Sequence, residues 1–198
     1  QWESSTDGSN YSSISGATLP TYTAAVSSNT YYRCAVTCSG NTGYSTAKQI
    51  TINAAPTTQA TALSTTAASS SITPSWTAAS DADGYLAVVH TSALSAAPVD
   101  GTDYSSGDAL GGGTVKYSGT STSPSALSSL TSNTNYSITV YSYNESDEGC
   151  KVYNTTSPLT GTQYTTPGVI SSPSFSNETT SGFDLSWTAP TSGAASYI

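Results

Sequence analysis

The chain has 198 residues, of which 35% are hydrophobic and 8% charged, and 12 acidic side chains against 4 Lys and Arg give it a net charge of -8. So few cations leave no basic surface to neutralise phosphates, which argues against a nucleic-acid-binding protein, and an anionic membrane surface would repel the chain. No apolar run reaches the length of a bilayer span, so we expect no membrane insertion.

Alternation of bulky side chains predicts three strands in the middle of the chain. The first carries Ile72, Pro74 and Trp76 on one face, and the second covers residues 85–91. The third presents to the core Tyr136, Ile138, Val140 and Ser142. Its opposite face, which we expect to meet water, carries Ser137, Thr139, Tyr141 and Tyr143.

Turn signals separate these strands at residues 83–84, 111–113 and 148–149. The run Gly111-Gly112-Gly113 lacks the Gly-Lys-Ser/Thr ending of a phosphate-binding loop, so we interpret it as a turn. No window shows an apolar stripe with helical period. The sequence therefore predicts an all-β fold.

The chain also repeats itself. Residues 70–78 resemble residues 181–189, both end in Ser-Trp-Thr-Ala, and Trp187 follows Trp76 by 111 residues. That interval fits a β-sandwich module. Joints rich in Pro and small residues at 54–58 and 165–168 divide the chain into pieces 1–55, 56–167 and 168–198. We expect only the middle piece to be complete and the chain to be cut from a longer protein.

Residues 130–136, Leu-Thr-Ser-Asn-Thr-Asn-Tyr, and the alternating strand after them resemble the E-to-F corner and F strand of fibronectin type III domains. The resemblance implies that Leu130 packs in the core and that the Tyr136 hydroxyl ties down the corner. It also implies that Trp76 is the core Trp of strand B, with Trp187 its equivalent in the next module. Pro74 departs from the family pattern, which puts local pairing of its strand in doubt.

The first piece resembles the C-terminal half of an immunoglobulin-like domain, with Trp2 on strand C and Tyr32-Arg33-Cys34 on strand F. Residues 1–9, 31–34 and 107–115 are similar to repeats in large secreted and cell-surface, adhesin-like proteins of Bacteroidota. The resemblance implies tandem Greek-key β-sandwiches. An immunoglobulin-like piece at 1–55 would precede a fibronectin type III-like domain at 56–167 and the N-terminal strands of another at 168–198.

The three cysteines, Cys34, Cys38 and Cys150, are candidate half-cystines of an extracellular chain. Cys34 and Cys38 are four residues apart, about 13 Å along a strand, which is too far for a mutual bridge unless the chain bends. The immunoglobulin-like resemblance implies a partner for Cys34 on a strand before residue 1. Cys150 is interpreted as a loop thiol or half of a bridge in its own loop region.

Catalytic and metal-binding chemistry finds little support in the sequence. His90 lies within a predicted strand without a neighbouring nucleophile motif, so we expect a strand side chain with ordinary hydrogen bonds. The acidic residues lack the spacing of a calcium loop and are expected to be solvated turn residues: Asp81, Asp83, Asp100, Asp103 and Asp108. We predict no catalytic, cofactor-binding or metal-binding residue and no cofactor.

Tyr141 and Tyr143 are the candidate contact residues. On an exposed sheet face their rings could stack on sugar rings, as in a carbohydrate-binding module. The alternative is a cross-strand ladder of tyrosines that stiffens the sheet, and this alternative is favoured.

Our interpretation is a non-enzymatic structural or adhesive stalk segment of a long extracellular surface protein or filament. Its partners would be neighbouring modules of the same chain, with surface glycans or other proteins as further candidates. One alternative is a spacer or carbohydrate-binding accessory region of a secreted hydrolase. Another is a module that binds protein partners by pairing at a strand edge.

Overall fold

The computed structural model describes residues 1–146 and 149–189, and within them the chain forms strands, turns and connections without any helix. Accordingly, that part of the chain has no helix long and apolar enough to cross a membrane. Strand pairs are antiparallel, which confirms the all-β class. Part of the predicted turn at 148–149 and the end of the predicted last piece, 190–198, lie outside the described residues. The chain divides into two compact units, Gln1–Ala54 and Ala55–Ile198.

The first unit is a five-stranded sheet around a long central strand, β3. Its strands are β1 (Trp2–Ser5), β2 (Ser12–Ser13), β3 (Thr30–Cys38), β4 (Asn41–Tyr44) and β5 (Lys48–Ile50). One edge of β3 pairs with β1, which also pairs with β2. The other edge of β3 pairs with β4 along its C-terminal half and with β5 along its N-terminal half.

An arginine ties three elements of this first sheet together. Arg33 on β3 lies opposite Glu3 on β1, and its Nε donates to Glu3 Oε2 at 2.8 Å. Its guanidinium lies 3.8 Å from the centre of the Tyr11 ring and 4.0 Å from that of Tyr44. Both faces of the planar cation are therefore covered by aromatic rings, a geometry that favours Arg over Lys.

The second unit contains a hairpin and a six-stranded sheet packed face to face, followed by a second hairpin. The first hairpin is β6 (Thr61–Ala67) and β7 (Ile72–Thr77). In the six-stranded sheet, β11 pairs with β8 on one edge and with β12 and β13 on the other, and β10 joins β8 to β9. Its strands are β8 (Gly84–His90), β9 (Ala109–Leu110), β10 (Gly113–Gly119), β11 (Asn135–Glu145), β12 (Lys151–Tyr153) and β13 (Leu159–Tyr164).

The main core lies between the β6–β7 hairpin and the inner face of the six-stranded sheet. The predicted core residues Trp76, Leu130, Ile138 and Val140 are buried there, and Tyr136 packs against them half-buried. The Tyr136 hydroxyl accepts a hydrogen bond from the Thr131 backbone N–H at 3.0 Å. The corner interaction that the resemblance implied is therefore present.

Pro74 does not interrupt its strand, since it is paired with Thr65 in the register of β6 and β7. The N–H groups of Ile72 and Trp76 donate away from β6, to Leu127 O and Thr122 O. Because alternate residues of a strand direct their N–H groups to the same side, the missing donor of Pro74 also lies on this side. The hydrogen bonds to β6 are consequently unaffected.

The predicted glycine turn is a two-residue hairpin connection between β9 and β10. Gly111 and Gly112 have φ of 57° and 87°, the left-handed values that such turns need. A Cβ on Gly111 would lie 2.6 Å from Ala96 O, so the connection before β9 also requires glycine there.

A second apolar cluster covers the outer face of the six-stranded sheet. Side chains from β8, β10, β11 and β12 meet residues of β9 and of the connection that precedes it. The connection contributes Leu94 and Tyr104, and β9 contributes Leu110. As a result, β8 is buried on both faces along nearly its whole length. The unit is therefore built of three layers at this point.

The second hairpin is formed by β14 (Ser171–Ser176) and β15 (Asp184–Thr188). Its register shifts between residues 171 and 174, and that of β6 shifts between residues 61 and 64. Ala62 and Ser172, inside these two bulges, have left-handed φ of 54° and 52°. A left-handed conformation is uncommon for residues other than glycine, so its recurrence shows that the sequence repeat is also a repeat of backbone geometry.

Candidate functional site

The predicted exposed aromatic residues are not at the surface. Tyr141 is 4% exposed and Tyr143 is 2% exposed, and both belong to the outer apolar cluster. Thr139, predicted to meet water with them, is also buried. The prediction that these side chains are exposed is wrong, because residues distant in sequence cover this face of β11. Tyr141 and Tyr143 cannot stack on a ligand in this arrangement.

Tyr143 is fitted closely into the sheet. It lies directly opposite Gly84 on β8, and a Cβ on Gly84 would lie only 2.4 Å from the Tyr143 ring carbon Cζ. Its ring centre is 5.7 Å from that of Tyr153, which is 5.9 Å from that of Tyr104. Burial raises the pKa of Tyr141, Tyr143 and Tyr153 above the ordinary tyrosine value. This is a chain of packed tyrosines within the protein.

All three candidate half-cystines are free thiols in the structure. Cys34 and Cys38 both lie within the single strand β3, and Cys38 and Cys150 are exposed. A partner for Cys34 on a preceding strand stays a prediction.

His90 ends β8 with both ring nitrogens occupied. Nδ1 lies 2.7 Å from Ser92 O and Nε2 lies 2.9 Å from the Thr139 hydroxyl. A carbonyl can only accept, so Nδ1 donates to Ser92 O, while Nε2 is paired with the Thr139 hydroxyl. His90 therefore has the ordinary strand hydrogen bonds that the sequence predicted.

Of the five acidic residues predicted to occupy turns, Asp103 forms an ion pair with Lys151, and each of the other four accepts hydrogen bonds from backbone N–H groups. The Asp81 carboxylate accepts from the hydroxyls and backbone N–H groups of Thr57 and Thr58. The hydroxyl of Thr57, followed by that of Thr58, lowers the pKa of Asp81 below its usual range. The carboxylates of Asp83, Asp100 and Asp108 also accept hydrogen bonds from backbone N–H groups. Within residues 1–146 and 149–189, no group of three or more His, Cys, Asp or Glu side chains could hold a metal ion.

The first unit has a groove of about 500 Å³ on the sheet face that carries Trp2 and Tyr32. Tyr22 lies over it, with its ring centre 6.5 Å from that of Trp2 and 6.4 Å from that of Tyr32. Trp2 Nε1 donates to Leu19 O at 3.0 Å, which fixes the indole. The rest of the lining is small or aliphatic, except for Ser45, Thr46 and Lys48. The lining of this groove is therefore mainly apolar.

The second unit has a smaller and more polar pocket of about 280 Å³. Two of the four cationic residues of the chain line it, Lys116 and Lys151. The other lining residues carry carboxylate, hydroxyl or phenol groups: Asp103, Tyr104, Ser105, Ser106, Tyr117 and Ser118. This pocket was not predicted from the sequence. The available signal in the sequence was that half of a very small set of cations, Lys116 and Lys151, falls in this unit.

Comparison with known protein families gives one match, which covers the first part of the chain. Residues 1–56 match the family described as Domain of unknown function (DUF8696). No curated protein matches the chain. The match ends close to the end of the first structural unit at Ala54.

Proposed function

We propose that this chain is a non-enzymatic structural segment of a long extracellular multidomain protein or filament at the cell surface. The observation that carries the proposal is the repeated hairpin, in which β14–β15 reproduces the register shift and the left-handed residue of β6–β7. Recurrence of a building block after about one module length is typical of tandem arrays, whose repeats provide reach.

Within this proposal, residues 56–167 are a fibronectin type III-like domain, residues 168–198 are the N-terminal strands of another, and residues 1–55 are the C-terminal half of an immunoglobulin-like domain. The support for the fibronectin type III-like domain is the buried Trp76 and the hydrogen bond from Thr131 to the Tyr136 hydroxyl. The support for the immunoglobulin-like piece is the register of Trp2 opposite Cys34 on the central strand of the first sheet. The partners would be neighbouring modules of the same chain, and the net charge of -8 would keep such an array soluble.

The alternative of a carbohydrate-binding accessory region was based on Tyr141 and Tyr143. Their burial removes that basis for carbohydrate binding, while the alternative of a spacer in a secreted hydrolase does not depend on these residues.

Immunogold labelling of intact cells of the source organism, with an antibody raised against this chain, tests the proposal. We expect gold particles outside the cell envelope and loss of the label after mild protease treatment of whole cells. Label confined to the cell interior would contradict the surface location. Antigen found only in the culture medium together with a hydrolytic activity would instead support the accessory role.

A further inference from the structure

The polar pocket of the second unit concentrates positive charge in an acidic protein. The chain has only four Lys and Arg residues against 12 Asp and Glu, yet Lys116 and Lys151 line one pocket. Asp103 is the single acidic residue in that lining. The lining of this pocket thus carries more positive than negative side chains, although the chain as a whole has a net charge of -8.

A backbone irregularity directs Lys116 to this place. The register of β10 against β8 shifts between Val115 and Tyr117, so Lys116 is the extra residue of a β-bulge. Val115 packs in the outer cluster, whereas Tyr117 packs against the inner core. Bulges re-aim side chains that regular pairing would direct elsewhere. Lys116 forms no ion pair with another described residue.

Lys151 is held in place from several sides. It is buried on β12, directly opposite Glu145 on β11, and its Nζ lies 5.1 Å from the centre of the Tyr143 ring. Its Nζ also forms an ion pair with Asp103 Oδ1. Burial by itself would lower the pKa of this amine, but the hydrogen bond to Asp103 and the neighbouring charges raise it overall, so Lys151 stays charged.

Asp103 differs from the lysine it contacts, because its side chain is 69% exposed whereas that of Lys151 is 10% exposed. A solvated carboxylate on the end of a loop can leave the ion pair without being buried elsewhere. Asp103 therefore occupies the position that a carboxylate from outside the protein could take.

The remaining lining suits a sugar better than a simple anion. Ser105, Ser106 and Ser118 present hydroxyls that can donate and accept, and Tyr104 and Tyr117 add ring surface. A volume of about 280 Å³ falls at the small end of ligand pockets, which suits one sugar ring rather than a peptide segment.

We propose that this pocket binds an acidic monosaccharide unit, whose carboxylate interacts with Lys116 and replaces Asp103 on Lys151. The hydroxyls of the sugar would pair with the serine side chains. The inference goes beyond the proposed stalk role and does not depend on it, because the pocket lies within one unit. It also uses residues other than Tyr141 and Tyr143.

Titration of the isotope-labelled full chain with sodium glucuronate, followed by amide NMR shifts, tests the proposal. We expect saturable shifts around Lys116 and the loop at residues 103–106, with glucose and acetate at least about tenfold weaker. Equal shifts from glucose would overturn the role of the lysines. Equal affinity for acetate would overturn the saccharide assignment in favour of a plain anion site.

Two variants and a matched control separate binding from folding. Lys116→Gln should weaken glucuronate binding at least about fivefold. The variant should still give the amide spectrum of a folded chain, since Lys116 is half-exposed at a bulge. Lys48→Gln, with the same charge change in the first unit, should leave the affinity unchanged. Asp103→Asn should strengthen binding, because it removes the competing carboxylate. Equal losses from the two lysine variants, or weaker binding by Asp103→Asn, would contradict the proposal.

Discussion

The hairpins β6–β7 and β14–β15 share a backbone plan but differ in their surroundings. Trp76 on β7 is 6% exposed beneath the six-stranded sheet, whereas the equivalent Trp187 on β15 is 38% exposed. Phe175 and Leu185, which lie opposite each other in the second hairpin, are 60% and 48% exposed. The same bulged hairpin therefore occurs once with its apolar face buried beneath a sheet and once with that face largely exposed among the described residues.

The largest expected effect is at the two tryptophans. Trp76→Ala should lower the free energy of unfolding of the six-stranded sheet by about 3 to 5 kcal/mol, because it removes a large buried side chain and leaves a cavity. The matched variant Trp187→Ala, which lies outside the six-stranded sheet, should change the free energy of unfolding of that sheet by less than about 0.5 kcal/mol. Urea unfolding of the full chain, followed through the amide signals of β8, gives both values. Similar losses from the two variants would show that the hairpins have equivalent surroundings after all.

The outer layer gives the next comparison. Tyr143→Ala should destabilise the sheet by about 3 kcal/mol, since it opens a cavity between β8, β12 and the covering connection. Phe175→Ala, which removes an aromatic ring from the exposed hairpin, serves as the control and should cost under about 0.5 kcal/mol. Thermal unfolding followed by near-ultraviolet circular dichroism can measure both. A Tyr143 variant as stable as the control would mean that the outer cluster adds no stability.

A smaller effect is expected at the corner. Tyr136→Phe leaves the Thr131 N–H without its hydroxyl acceptor and should cost about 1 kcal/mol. The same urea experiment measures it, and Tyr164→Phe, at a tyrosine that is 61% exposed in the same unit, is the control and should leave the midpoint unchanged. An unchanged midpoint for Tyr136→Phe would show that the corner hydrogen bond is replaced by water.

The last prediction concerns a loss of stability that is expected at alkaline pH and is absent at neutral pH. The pKa values of Tyr141, Tyr143 and Tyr153 are raised in the folded chain, mainly by burial. Between about pH 10 and those raised values, the folded state keeps protons that the unfolded state releases, so stability is complete below about pH 10 and falls as pH rises. Amide signals of β8 should be lost at a lower urea concentration at pH 11 than at pH 9. An unchanged midpoint would contradict burial of the three phenols.

Much of the inner core could be predicted from sequence because its signal is local. Alternation predicted the inner faces of β7 and β11, and the resemblance of residues 130–136 to fibronectin type III domains implied the corner. These patterns depend on the strand period of two and on residues close together in the chain. The repeat of the two hairpins was also visible, because residues 70–78 and 181–189 share a short matching sequence.

The outer face of β11 could not be predicted in this way. Alternation reports which residues share a face, but not whether a distant connection covers that face. Leu94, Tyr104 and Leu110 were the available signal, since apolar residues in a long connection between strands imply a surface for them to cover. The pocket at Lys116 was hidden for a related reason, because a bulge depends on cross-strand register rather than on the sequence of one strand.

The double coverage of β8 also determines how the unit exchanges its amide protons. A strand that has neighbours on both edges and side chains buried on both faces releases its protons only when the whole sheet opens. The amides of β8 should therefore report global opening, whereas those of β14 and β15, whose residues are all exposed, should exchange through local fraying. A single exchange experiment on the native chain would thus rank its two hairpins and its sheet in order of opening free energy.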